Sequence, residues 1–173
     1  KKLEPILKAV AQDVRARLML ESSQLAQGRL TELLADINAI IAGGGDQMTA
    51  DLFDDLIEFA DYESEFTQRI FAPLVSADTV LPSIEQIRAA MTTSKATLVS
   101  GNTIKRMGIK ELVAAFTDSK QKEVDLVIRA GFIEGKTSQE LSRQLQSILG
   151  KKAPRQAAVL VRTATNHAGS VAR

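Results

Sequence analysis

The sequence predicts an all-α protein, an elongated helical hairpin followed by a small bundle of shorter helices. Three observations predict it. Apolar residues recur at steps of three and four along most of the chain, as one buried stripe of a helix requires. Two Ser/Thr-x-x-Gln/Glu boxes stand in front of apolar series, and glycine and proline punctuate the ends of others.

Leu3, Ile6, Leu7, Val10, Val14 and Leu18 form the first stripe, with Pro5 suited to a first helical turn. A second series, Leu30, Leu33, Leu34, Ile37, Ile40 and Ile41, follows a polar interval containing Ser22, Ser23 and Gly28. One long bent helix and two helices both fit this pattern. A continuous helix from Pro5 to Ile41 would span about 55 Å at about 1.5 Å per residue, a length suited to an interaction rod. Gly43, Gly44 and Gly45 are expected to end it and to act as a hinge, because glycine takes left-handed backbone geometry freely. Thr49 then serves as N-cap of a helix running to Phe71, before Pro73. Its wide apolar sector, with Leu52, Leu56, Phe59, Phe66 and Ile70 beside Phe53, Ile57 and Ala60, is expected to pack back on the first helix as an antiparallel hairpin.

Residues 74–82 read as a linker between an N-terminal region, 1–73, and a second helical region, 83–173. Ser83 and Gln86 form a capping box opening a short helix with Ile84, Ile87 and Met91. Thr97, Leu98 and Val99 have strand composition, but a lone strand lacks a partner, so a loop is expected there. Helical spacing returns from Ile104 to Ala130 through Leu112, Val113, Phe116, Val124, Val127 and Ile128, with a break at Thr117 to Ser119 and a stop at Gly131. Thr137 and Glu140 make the second box, Leu141, Leu145, Ile148 and Leu149 the stripe behind it, and Gly150 its stop. Pro154 opens the last helix, where Ala157, Leu160, Val161 and Ala164 recur at helical spacing.

Composition removes several classes of chemistry. With no cysteine, disulfides, thiolate catalysis and cysteine-ligated metal sites are excluded, and the single histidine, His167, excludes a histidine-rich metal site. No apolar run approaches the roughly 20 residues of a membrane-spanning helix. The chain begins at Lys1 and ends at Arg173 within a helical pattern that has no stop signal, so it reads as a segment of a longer protein. Net charge is only +1, but its distribution is uneven. Eight acids and no base lie between Asp46 and Glu65, whereas five bases and no acid lie between Lys151 and Arg173. Such a split suits solvated helix faces, pairing between subunits or a nucleic-acid-facing end.

No catalytic, cofactor-binding or metal-binding residues are expected. Gly135-Lys136-Thr137 imitates a phosphate loop, but the glycine required five residues earlier is Ala130 and no strand precedes it. Gly43 to Gly45 lacks the spaced glycines of a dinucleotide site. Asp54, Asp55, Glu58 and Asp61 share one helix, whereas paired acid-base carboxylates must face each other across a cleft. His167 has Thr163 and Ser170 at helical spacing, yet no acid follows Glu140 to orient its ring. Lys151, Lys152, Arg155 and Arg173 lack interleaved aromatics and are expected to give at most weak, salt-sensitive phosphate contacts.

From residue 127 onward the chain combines a Gly-Lys-Thr-Ser turn at Gly135 to Ser138, an "ELSRQL" helix, and an "R-T-x-x-N" helix carrying Arg162, Thr163 and Asn166, followed by His167. This stretch resembles the phage head morphogenesis family, the Mu F-like minor head proteins. The likeness covers about a quarter of the chain well. It implies a non-enzymatic, multi-copy virion component, bound to the portal protein or the major capsid protein and assisting head assembly and DNA packaging or ejection. It implies location in the phage head or at the portal vertex, in the host cytoplasm during assembly, with weak non-specific contact to packaged DNA. Gly135, Thr137, Arg162, Thr163, Asn166 and His167 become candidate motif or partner-contact residues. The alternative is a cellular helical adaptor or regulatory interaction module. Because the Gly135 to Thr137 turn lacks the phosphate-loop cradle, calorimetry with ATP and magnesium is expected to show no saturable heat; a micromolar constant would overturn that reading.

Overall fold

A computed structural model of the chain describes residues 3–21, 27–72, 81–100 and 103–172. The protein is all-α apart from one two-stranded ribbon. In order, the elements are α1 (Leu3–Met19), α2 (Gln27–Phe71), α3 (Ile84–Thr93), β1 (Ala96–Ser100), β2 (Thr103–Met107), α4 (Ile109–Ile133), α5 (Ser138–Leu145), a π-helical segment (Gln146–Lys152) and α6 (Ala153–Val171). Two compact units form from them, Lys1–Met48 with Val113–Ala158, and Thr49–Leu112 with Val159–Arg173. Helices α2, α4 and α6 each contribute residues to both.

In the first unit α1 lies antiparallel to the first half of α2. Arg17 Nε donates to Asp36 Oδ2 at 2.7 Å near one end, and Val10 approaches Gly44 near the other. The polar interval after Leu18 therefore separates two helices, so the two-helix alternative holds. Arg17 also pairs with Glu21 at 2.7 Å, and these hydrogen bonds, Glu21 first, raise the pKa of its guanidinium. The core joins Val10, Val14 and Leu18 of α1, Leu33, Leu34, Ile37 and Ile41 of α2, Val124 and Ile128 of α4, and Leu145, Ile148 and Leu149 behind α5. Helix α4 is tied to α2 by polar contacts, Asn38 Nδ2 donating to Asp125 Oδ1 at 3.1 Å and Gln121 Nε2 to the Asn38 carbonyl at 2.9 Å.

The glycine triplet neither ends a helix nor forms a hinge. Helix α2 runs unbroken through Gly43, Gly44 and Gly45 and past Thr49, which is an interior residue rather than an N-cap. The reason is packing. A Cβ at position 44 would collide with Val10 Cγ2, and one at 45 would collide with Thr117 Oγ1, with Thr117 Cγ2 2.9 Å away. Two adjacent helix positions lie about 100° apart around the axis, so the pair admits α1 on one side and α4 on the other. The expected fold-back of residues 49–71 on the first helix at this triplet is thereby overturned; the antiparallel hairpin is α1 with residues 27–48.

Other local expectations also change. Residues 96–100 are a strand, not a loop, because 103–107 supply the missing partner in antiparallel register, with Ala96 opposite Met107 and Leu98 opposite Lys105. The helix expected from Ile104 begins at Ile109, and α4 passes through Thr117 to Ser119 and through Gly131 without a break. Thr117 is buried against Gly45 instead of marking an end. Gly150 does not stop a helix either, since the π-helical segment carries the chain directly from α5 into α6. Pro154 sits in the first turn of α6, as its position predicts. Ser83 and Gln86 form the expected capping box. Apart from Leu81 and Pro82, the linker expected at 74–82 lies outside the described residues, as does Pro73.

In the second unit the buried apolar residues are Leu52, Leu56, Ile57 and Ala60 of α2, Ile87 and Met91 of α3, Ala96 of β1, Ile109 and Leu112 of α4, and Ala164 and Ala168 of α6. The opposite regime holds near the end of α2, where Tyr62, Phe66, Ile70 and Phe71 are exposed and the Tyr62 and Phe66 rings stack at 6.3 Å.

The role of the triplet is testable by two alanines. Gly43 has nothing within 4 Å of its would-be Cβ. Gly43→Ala should therefore stabilise by about 0.5–1 kcal/mol through helix propensity alone. Gly45→Ala should destabilise by about 1–3 kcal/mol through overpacking against Thr117. Urea midpoints moving in the same direction for both variants would refute the packing account.

Candidate functional site

The Gly-Lys-Thr-Ser turn is built from helix-end chemistry. Helix α4 closes with Lys136 N–H donating to the Gly131 carbonyl at 2.8 Å and Gly135 N–H to the Phe132 carbonyl at 3.2 Å. This paired pattern requires a left-handed residue at the first position outside the helix. Gly135, at φ +70°, is the residue with positive φ among those described. Gly131, four residues earlier, is the point of closest approach of α5, since a Cβ there would collide with Leu141 Cδ2. Thr137 then caps α5: its Oγ1 accepts from Glu140 N–H at 3.3 Å, while its own N–H donates to Glu140 Oε2 at 2.9 Å. That backbone hydrogen bond, followed by the Thr137 hydroxyl, holds the Glu140 carboxyl below its ordinary pKa. The backbone N–H groups of Gly135, Lys136 and Thr137 are all taken up at the two helix ends, and Lys136 Nζ pairs with Glu134, whereas the buried Ser138 Oγ has no hydrogen-bond partner.

The second part of the resemblance lies in the other unit and has a different setting. Val159, Thr163, Asn166, His167 and Ser170 occupy one face of α6, and they form one wall of a groove of about 590 Å³. Lys95, Ala96, Thr97 and Leu98 form the facing wall. Ser94, which ends α3 by donating its N–H to the Ala90 carbonyl at 2.8 Å, places its Oγ 2.9 Å from His167 Nε2. The histidine ring is thus fixed at the junction of the two walls. Thr163 Oγ1 donates to the Val159 carbonyl at 3.1 Å and Ser170 Oγ to the His167 carbonyl at 2.7 Å, so both hydroxyl protons stay on the helix. What they present outward is acceptor oxygen. Lys95, Thr97 and Asn166, all exposed, are left with side-chain donors toward the groove.

Serine beside histidine is the start of a nucleophilic arrangement, but the chain offers no carboxylate to complete it here. Neither wall carries an acid, and the sequence has none between Glu85 and Glu111 or after Glu140. Ser94 also stands at the carboxyl end of α3, whose partial negative charge opposes a developing alkoxide. Among the described residues no group of three or more potential ligands is placed to hold a metal ion. No helix of the described residues is long and apolar enough to cross a membrane.

Thr163, Asn166 and His167 are therefore brought together, whereas Arg162 is exposed on α6 outside the groove lining. Gly135 and Thr137 belong to the first unit, along with Lys151, Lys152 and Arg155. Lys152 is 3.8 Å from Glu123, and Lys151 borders a shallow hollow with Lys8, Gln12 and Gln146. Arg173 lies outside the described residues. Ser94, Lys95 and Thr97 were missed from sequence. The available signal was the Gly101-Asn102 dipeptide between two β-branched runs, a two-residue hairpin pattern. No protein-family model, curated protein or solved structure matches this chain.

The capping box makes a pH-dependent prediction. Thr137→Ala should cost about 1 kcal/mol by orphaning a first-turn N–H. Because the folded pKa of Glu140 is depressed, its stabilising charge is present above the unfolded carboxylate pKa and is lost as pH falls through the lower folded value. The stability gap between the wild type and Glu140→Gln should accordingly be full at neutral pH and close in acid. A gap independent of pH, measured by urea denaturation, would show that the carboxylate is not held by the cap.

Proposed function

We propose that the chain is a non-enzymatic structural subunit of a tailed-phage head, a minor head protein present in several copies and attached to the portal protein or the major capsid protein. The observation that carries an attachment role is the uncovered end of α2. Tyr62, Phe66, Ile70 and Phe71 are each 46% exposed or more, and aromatic and aliphatic residues grouped in this way mark a contact surface. The phage assignment itself rests on the Gly135 to Ser138 turn and on Arg162, Thr163 and Asn166. Support also comes from the length of α2, whose 45 residues span about 67 Å at about 1.5 Å per residue. The acidic stretch from Asp46 to Glu65 lies along the same helix and would set orientation on the partner more than affinity. Any contact with packaged DNA is secondary and salt-sensitive.

Co-expression with a candidate portal protein, followed by capture at about 150 mM salt, tests this reading, since exposed charges alone are screened beyond roughly 8 Å there. Capture is expected, and Phe66→Ser combined with Ile70→Ser should abolish it without altering the helical signal. A chain that binds neither portal nor capsid protein, with particles assembling normally in its absence, would sink the proposal.

A further inference from the structure

Four consecutive residues, Lys95 to Leu98, line the α6 groove. Lys95 precedes the strand and Ala96, Thr97 and Leu98 belong to β1; side chains of successive strand residues point to opposite faces, so three in succession bring the strand's backbone edge to the groove. The other edge of β1 is taken by β2, and among the described residues β1 has no further neighbour. The groove therefore runs beside an open strand edge, where every second residue turns its N–H and C=O away from β2.

The charge of this region is of one sign. From Lys95 to Lys110 the chain carries Lys95, Lys105, Arg106 and Lys110 and no acid, and the part of α6 in this unit carries Arg162 and no acid. Lys95, Lys105, Arg106 and Arg162 are exposed. The dimensions also agree. The α6 wall from Val159 to Ser170 rises about 16 Å at about 1.5 Å per residue, and that is about five residues of extended chain at about 3.3 Å each.

From these observations we infer that the groove between β1 and α6 binds an extended, acid-bearing peptide segment of a partner protein, which adds as a third strand to the open edge of β1. Backbone hydrogen bonds along β1 hold the segment. Lys95 and the Asn166 amide receive its carboxylates, and the Thr163 and Ser170 oxygens accept from its donors. The Ser94 hydrogen bond to His167 fixes the far wall in place. The strand edge selects a peptide over a nucleic-acid backbone, which has no amide ladder to offer. This deepens the reading of the chain as an attached subunit, and rests on that reading only in supplying a partner.

The test uses the full chain, isotope-labelled, and a capped seven-residue peptide alternating Glu with Val and Thr. Three further probes accompany it: the same peptide with Lys for Glu, the Glu peptide with alternate amides N-methylated, and a short DNA duplex. The expected result is saturable chemical-shift change confined to the amides of Lys95 to Leu98 and to Thr163 to Ser170, with slowed exchange on β1. Lys95→Glu should weaken binding about fivefold, at the upper end for one exposed ion pair. Asn166→Ala should weaken it about fivefold through one lost hydrogen bond. The Lys and N-methylated peptides should not bind.

Equal binding of the Lys peptide, retained binding of the N-methylated peptide, or no shifts at millimolar concentration would each overturn the inference. So would tighter binding of the duplex to these same residues. Capture by the portal protein is scored separately: peptide binding without capture leaves the groove standing and removes the head-protein reading, and capture without peptide binding does the reverse.

Discussion

The first unit depends on a close approach that only glycine permits. Three successive glycines in a helix interior cost on the order of 2–3 kcal/mol relative to alanine. Helix α2 carries the share of that cost at Gly44 and Gly45 because Val10 and Thr117 press onto its backbone there, while nothing meets Gly43. With α1 seated at that depth, Val10, Val14 and Leu18 meet Leu33, Leu34, Ile37 and Ile41 as one cluster. With α4 seated beside it, Val124 and Ile128 join the same cluster. Gly131 repeats the device on α4, admitting Leu141 and so fixing where α5 crosses. Side chains deliver the apolar area, but the glycines set the distances at which it is buried.

Charged groups adapt to this packing and do not direct it. Lys120 is 3% exposed, a consequence of standing one turn after Thr117 on the face of α4 that meets α2. Its ammonium is hydrogen-bonded to Glu123, which also attracts Lys152. Glu21 is likewise buried and takes Arg17 at 2.7 Å and Arg29 at 3.6 Å. Breaking such a pair by removing one partner costs more than the pair itself contributes, because the remaining charge stays in a poorly solvated place. These contacts therefore tie helices that the packing has already brought together, Arg17 to Asp36 and Asn38 to Asp125, while the apolar cluster supplies the stability.

What sequence made legible, and what it hid, follows from the range of the interactions involved. Both capping boxes, the proline in the first turn of α6 and most stripe residues are determined within a few residues and stand where the pattern indicates. Phe66, Ile70 and Ile84, expected in buried stripes, are exposed. The glycine triplet was misread because its meaning is non-local. Glycine ends a helix when the next residue must turn left-handed, and continues one when a neighbour needs the space, and the neighbours here, Val10 and Thr117, lie 34 and 72 residues away in the chain. Gly150 was misread for a related reason, since the wider turn of the π-helical segment absorbs it within a continuous path from Ser138 to Val171. The ribbon was missed because a strand is recognised by its partner, and β2 alternates too weakly, with Lys105 and Arg106 adjacent, to announce itself.

The groove shows the same division between its two walls. Positions 159, 163, 166, 167 and 170 follow helical spacing, so the α6 wall could be drawn from sequence as one face carrying Thr163, Asn166 and His167. Its facing wall could not, because Ser94 meets His167 across 73 residues. The distribution of acids, by contrast, is visible without any structure and bounds what such a site can do. A surface with an ammonium, an amide, an imidazole and hydroxyl oxygens, but no carboxylate on either wall, is equipped to recognise acceptors and anions. Ser94 holds the imidazole, but neither wall carries an acid to balance its charge during proton transfer. Recognition by main-chain ladder, with charge selecting among extended segments, is the proposed mode, and it draws on Lys95, Asn166, Thr163 and Ser170 together with the β1 backbone.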